Sequence, residues 1–269
     1  MEPHLILESV QDPTFESIRP RTKRIGRVVV HLAECSSTMD EARKWAEAER
    51  EDGAVIAADR QVLGRGRNHR SWFSPNGALL ATLVLRDVKG LPVSVLPIAG
   101  ALALSRSIER LTKAPAKIKW PNDVWIEGKK VAGILLESRF VGNEPEWILV
   151  GLGVNVDVRV DDFPEEIRSI ATSLSAWRGG HVCAPALLKI WLEGFEKLID
   201  DIRDGRTQRV IGAAQERLVG LGTTVRGSGA RGSIEGTALR LGPNGELVIK
   251  TQNGEEVLRE GDVELLRPV

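Results

Sequence analysis

The sequence predicts an α+β protein in which a large domain, built on a sheet flanked by helices, is followed by a small β-barrel. Three observations carry this. Ala78–Leu85 is apolar in both alternating phases, the pattern of a strand covered on both faces. Ala101, Leu104, Ile108 and Leu111 recur at helical spacing and place a helix over that sheet. Beyond residue 217 glycine becomes frequent and short alternating segments take over.

Each element follows in order. Residues 1–24 read as an irregular leader, too short for a helix-turn-helix and without the basic start and apolar run of a signal peptide or membrane anchor. Residues 25–31 read as a strand. Thr38 with Glu41 three residues later is a capping box, and Ala42, Trp45 and Ala46 give the helix behind it an inward stripe. Residues 54–59 form a short strand that runs into a loop, Gln61-Val62-Leu63-Gly64-Arg65-Gly66-Arg67-Asn68-His69-Arg70-Ser71-Trp72. Pro121 biases Trp120 toward an extended conformation, and Asn122-Asp123 favours a turn. Residues 124–126 and 131–136 then pair as a hairpin, with Lys130 at or just past its tip. Residues 147–155 are a strand with glycines near its end, where a ligand can approach closely. Leu187, Leu188, Trp191, Phe195, Leu198 and Ile202 mark a long helix that belongs to a domain spanning 25–216. In 217–269, strands at 223–226, 233–241, 247–251 and 256–259 alternate with turns at Gly227-Ser228-Gly229, Pro243-Asn244-Gly245 and Asn253-Gly254, which points to an SH3-like or OB-like barrel.

Composition narrows the functional classes. The 269 residues carry 37 basic and 37 acidic side chains, so any attraction for anions must be local. Two cysteines and four scattered histidines fit neither a disulfide framework nor a metal-ligand spacing, which predicts a reducing, cytoplasmic setting and no structural metal. No window approaches the length of a membrane span.

The arginine loop is where charge concentrates. From Arg60 through Arg86 there is no Asp or Glu, while Arg60, Arg65, Arg67 and Arg70 crowd around Gly64 and Gly66. Arginine offers a planar fork of donors to carboxylate or phosphate, and glycine lets backbone N–H groups reach the same ligand. Alone, the loop fits a solvated Arg-Gly loop or a nonspecific RNA contact equally well. Two more segments share its theme of cations and amides among glycines: Lys119 to Gly133, and Gly151-Leu152-Gly153-Val154-Asn155. There is no P-loop, no Rossmann fingerprint and no Gly-x-Ser-x-Gly elbow, so positioning of a polyanion is favoured over covalent catalysis.

Taken in order, Gly64 to Trp72, Lys119-Trp120-Pro121-Asn122-Asp123, Lys130-Val131-Ala132-Gly133-Ile134 and Gly151 to Asn155 resemble the signature of the biotin-protein ligases, a likeness that runs from about Ile25 to the C-terminus. The resemblance implies a mixed sheet flanked by helices, similar to class II aminoacyl-tRNA synthetase cores, with an SH3-like barrel after it. It implies an enzyme that joins biotin and ATP into biotinyl-5'-AMP and then acylates one lysine of a biotin carboxyl carrier protein domain. On that likeness, Lys130, Arg65 and Arg67 are catalytic. Ser37, Thr38, Gln61, Gly64, Arg65, Gly66, Arg67, Lys130 and Gly133 bind biotin. Arg67, Arg70, Trp72, Lys119, Asn122, Lys130 and Asn155 bind ATP, and Asp123 is the candidate ligand for Mg2+. The arginine loop is expected to order over the adenylate. Met39 and His69 depart from the family pattern, which often has Asn after the Ser-Thr pair and glycine in the loop. No DNA and no membrane are expected as partners, and the chain is expected to be a monomer or homodimer. The rival readings are a lipoate or octanoate ligase or transferase of the same superfamily, and a nucleic-acid-binding module.

Overall fold

The computed structural model describes residues 12–229 and 232–266, so the first part of the expected leader, residues 1–11, lies outside the described residues. Residues 12–24 form turns and bends. Phe15 and Ile18 are buried, and Glu196 accepts the backbone N–H groups of Lys23 and Arg24 at 2.7 Å each.

The first strand begins later than the sequence predicts. β1 is Val29–Cys35, because Gly26 takes a φ of +72° and a Cβ there would lie 2.7 Å from Leu192 Cδ1; Ile25 is packed in the core ahead of the strand. α1 (Thr38–Glu47) connects it to β2 (Val55–Gln61) as a parallel crossover. The cap of α1 is Ser37, not Thr38: the Ser37 hydroxyl accepts from Met39 N at 3.3 Å, and Glu41 pairs with Lys44 instead of closing a capping box. That one-residue shift leaves the Thr38 hydroxyl available for other contacts.

β3 (Ala78–Leu85) is buried at every position, as its two apolar phases require. Leu79, Ala81, Leu83 and Leu85 join the main core, Val84 packs with Met39, Ala42 and Ala46 of α1, and Leu80 packs with Phe163. α2 (Leu96–Thr112) covers the sheet, and β4 (Lys117–Lys119), β5 (Asp123–Ile126), β6 (Lys129–Val141) and β7 (Glu144–Asn155) follow. The seven strands run in the order β1-β2-β3-β7-β6-β5-β4, antiparallel except for the β1–β2 pair, so the sheet is mixed. Two short helices, α3 (Glu165–Arg168) and α4 (Leu174–Arg178), precede α5 (Ala184–Arg203), whose Trp191 donates to Gly100 O of α2 at 3.1 Å; α6 is Thr207–Gln215.

A second, antiparallel sheet makes a small barrel-like domain: β8 (Thr224–Gly229), β9 (Gly232–Leu241), β10 (Leu247–Thr251), β11 (Gly254–Leu258) and β12 (Asp262–Leu265), in the order β11-β10-β9-β8-β12. Gly227-Ser228-Gly229, read from sequence as a turn, is strand. Gly227 pairs with Ile234, and its missing side chain leaves room for Leu258, whose Cδ2 would lie 2.7 Å from a Cβ. The second sheet rests on the first domain through Trp120 Nε1, which donates to Gly245 O at 2.9 Å, and through Gln215, which accepts from Leu241 N at 2.8 Å. Among the described residues no helix is long and apolar enough to cross a membrane.

Candidate active site

The three glycine-spaced segments meet at one cavity of about 180 Å³. The N-terminus of α1 and the end of β2 form one end of it. There Gln61 Oε1 accepts from Thr38 N at 2.7 Å and from the Thr38 hydroxyl at 2.8 Å. The Thr38 hydroxyl in turn accepts from Thr82 at 2.8 Å. Ser37, Thr38 and Thr82 are all at most 3% exposed, so this is a preset, neutral hydrogen-bonding end. Met39, Ile134, Leu135 and Leu152 supply apolar wall. Gly151 lets Met39 pack closely against β7, since a Cβ there would lie 2.8 Å from the thioether sulfur.

The other side is cationic: Arg65, Arg67, Arg70, Lys119 and Lys130 line it, against the carboxylates of Asp123 and Asp262. Lys130 is held by its backbone, donating to Ile170 O at 2.8 Å and accepting from Thr172 N at 2.9 Å. Its ammonium lies 2.7 Å from Asp123 Oδ1 and 5.4 Å from the centre of the Trp72 ring. Trp72 in turn lies against Gly153, where a Cβ would fall 2.7 Å from the indole. Lys119 sits 4.6 Å from the Trp125 ring, and burial pushes its ammonium below the usual lysine value, with Asp123 opposing that shift and Lys130 adding to it. Asn122 ties the two sides together: its amide donates to Ile134 O at 2.7 Å, and its carbonyl accepts from Arg67 at 3.2 Å.

The arginine loop is folded as a tight hairpin. Trp72 N donates to Gly64 O at 2.9 Å and Gly66 N to Arg70 O at 2.7 Å, while Asn68 takes a φ of +54°. Its cations are not bare. Arg60 pairs with Glu34 at 2.9 Å, Arg65 with Asp40 at 2.6 Å, and Arg70 with Asp262. A segment without acids is thus met by acids from α1, β1 and β12.

Of the sequence-derived site residues, Ser37, Thr38, Gln61, Arg65, Gly66, Arg67, Arg70, Trp72, Lys119, Asn122, Asp123, Lys130 and Gly133 line the cavity. Gly64 stands behind the lining; a Cβ there would lie 2.5 Å from Trp72 O. Asn155 is buried at the end of β7, and its amide donates to Thr172 O at 3.0 Å, next to the segment that pins Lys130. Three participants escape the sequence reading. Thr82 had a signal, as the one hydroxyl in an otherwise apolar strand. Asp262 and the 170–172 segment had none, because their relation to the cavity is purely tertiary.

A mixed sheet with these motifs at one cavity defines a class of protein-modifying ligases, and residues 32–155 match the model of the biotin/lipoate A/B protein ligase family. The chain is 32% identical over 247 residues to the bifunctional ligase/repressor BirA of Bacillus spizizenii, covering 91% of this chain and 76% of that one. It is 43% identical over 128 residues to a biotin–[acetyl-CoA-carboxylase] ligase of Paracoccus denitrificans, covering 46% of this chain and 53% of that one. Among solved structures, the biotin protein ligase of Aquifex aeolicus in complex with biotin and ATP aligns with a TM-score of 0.79 at 29% identity, over 90% of this chain and 100% of that one. The chain belongs to the biotin protein ligase family.

Proposed function

We propose that the protein activates biotin with ATP and transfers it to a single lysine of a biotin carboxyl carrier domain of a biotin-dependent carboxylase. In the first step a biotin carboxylate oxygen attacks the α-phosphorus, the bond to the β-phosphate oxygen breaks, and pyrophosphate leaves biotinyl-5'-AMP. In the second the carrier amine attacks the acyl carbon, AMP leaves and the amine gives up a proton.

The observation that carries this reading is one cavity with a neutral, hydrogen-bonded end and a cationic side. The neutral end suits a ureido ring, whose carbonyl and N–H groups need matching partners without charge. The cationic side suits two anions that repel each other and must still meet. Lys130, a compact ammonium, is the residue best suited to the charge that develops on the α-phosphate oxygens, with Arg67 beside it. Arg65 closes the loop side over the biotin, and Arg70, Trp72 and Lys119 serve the nucleotide. Asn155 acts indirectly, by holding Thr172, whose N–H in turn holds the backbone of Lys130. Asp123, a carboxylate that lines the cavity beside Lys130, is the residue that would hold Mg2+. The ion would supply charge neutralisation of the triphosphate. We read 25–216 as the catalytic domain and the cytoplasm as its place of work.

Incubating the protein with ATP, equal amounts of biotin, lipoate and octanoate, and purified biotin carboxyl carrier and lipoyl domains tests this by mass spectrometry. One biotinyl group on one carrier lysine is expected. A lipoyl or octanoyl adduct formed in preference, on a lipoyl domain, would overturn it.

A further inference from the structure

The arginine loop has no acid of its own, and the carboxylate nearest its outer arginines comes from the far end of the chain. Asp262 opens β12. One of its oxygens accepts from Arg70 and, at 3.2 Å, from the Asn68 amide, and the other lies 4.0 Å from Arg67. Gly261 takes a φ of +121°, where a Cβ would fall 1.9 Å from Ser228 O, so this glycine allows the turn that presents Asp262 to the loop.

Two kinds of contact operate here, and their strengths differ. Neutral acceptors hold the loop: Arg67 donates to Gly261 O at 3.0 Å and to the Asn122 carbonyl, and the hairpin closes through its own backbone. The Arg70–Asp262 pair is screened by solvent, with the Arg70 side chain 67% exposed, and a pair of that kind contributes little to stability. Its carboxylate nevertheless occupies donors that a phosphate group needs, and it repels any anion that approaches them.

We infer that Asp262 is a resident counter-anion of the loop, holding Arg70 and Asn68 in the place of the nucleotide's phosphates and opposing ATP until it is displaced. The inference rests on the ATP-binding reading above. It makes the C-terminal sheet a regulator of nucleotide affinity through a single charge, acting as a positioning residue on the loop.

Asp262→Asn keeps the shape and an acceptor oxygen while removing the charge. In calorimetric titration with ATP at low salt, its Kd is expected to fall roughly three- to fivefold below wild type, with the gap narrowing as NaCl is raised. Asp262→Ser should move the same way. In an Arg70→Ala background the Asp262→Asn gain should largely vanish. An unchanged or higher Kd in the neutral variants, or an equal gain without Arg70, would overturn the inference. If the wild type binds ATP but forms no biotinyl-AMP, the functional reading fails while the titrations still decide the role of Asp262. If biotinyl-AMP forms and the titrations are flat, the inference alone fails. If the wild type binds no ATP at all, both fall.

Discussion

The end of the cavity formed by Ser37, Thr38, Gln61 and Thr82 and the rim formed by the arginine loop with Asp262 differ in burial and in charge. At the first, hydroxyls and an amide are linked by neutral hydrogen bonds deep in the fold, between the α1 cap and the fully buried β3. At the second, guanidinium groups meet carboxylates in pairs that are partly open to water, Arg70 most of all. Neutral bonds in a dry setting are hard to rearrange and give specificity, because an unmatched partner leaves a buried polar group unpaired. Exposed ion pairs exchange partners at small cost, which suits a wall that must take up and release a polyanion. On the proposed function, this difference gives recognition of biotin's ureido ring to the neutral end and handling of the carboxylate and the phosphates to the cationic one.

The largest break in this division comes at Lys130, which lies beside Asp123 and faces the Trp72 ring. Lys130→Ala is expected to lower the rate of biotinyl-AMP formation by roughly 100- to 1,000-fold, the loss typical of one preorganised electrostatic donor. Its circular dichroism and melting curve should stay near wild type, since the ammonium is not part of the core. Next in size is Thr38→Val, which keeps the volume but leaves Gln61 and Thr82 short of a partner. Such a loss costs about 1–3 kcal/mol, and with the Thr38 hydroxyl serving bound biotin as proposed the KM for biotin should rise roughly 5- to 150-fold, with the KM for ATP nearly unmoved. Equal effects on both substrates would erase the proposed boundary between the two sides. Gly153→Ala forces the Trp72 indole away from β7, and a several-fold rise in the KM for ATP together with a lower melting temperature is expected.

The smallest effect lies away from the cavity. His31 bridges Glu16 and Asp59 at 2.7 and 2.8 Å and so fastens residues near the N-terminal end of the described chain to β2. Burial disfavours its charge, but the hydrogen bonds it donates to Asp59 and Glu16 outweigh that and raise its pKa above 6.5. The folded state therefore holds a proton that the unfolded state releases first, and this contribution is full below pH 6.5 and disappears as pH rises through the folded value. The melting temperature should carry a small downward slope over that window, and His31→Gln should reduce it.

Much of this organisation is legible in the sequence, for local reasons. α2 and α5 are long segments of helical period, and β3 and β7 are short continuous apolar runs of strand length. The cavity's cationic side is legible because arginines, lysines and glycines cluster at strand ends. Boundaries set by single contacts are not. The start of β1 depends on Gly26 meeting Leu192, and the cap of α1 on which of two adjacent hydroxyls turns toward the helix. The partners of the arginine loop are also hidden, because Asp40 and Asp262 lie 25 and 192 positions away from Arg65 and Arg70. An arginine-rich stretch that looks unopposed in sequence is, in the fold, already paired.

Exchange of labelled pyrophosphate into ATP tests most directly whether one cavity serves both substrates. Label is expected to enter ATP only when biotin is present, and Lys130→Ala should cut the signal to about 1% of wild type or less, the loss one electrostatic donor accounts for. Exchange that proceeds without biotin, that requires lipoate instead, or that survives in Lys130→Ala at the wild-type rate would contradict it.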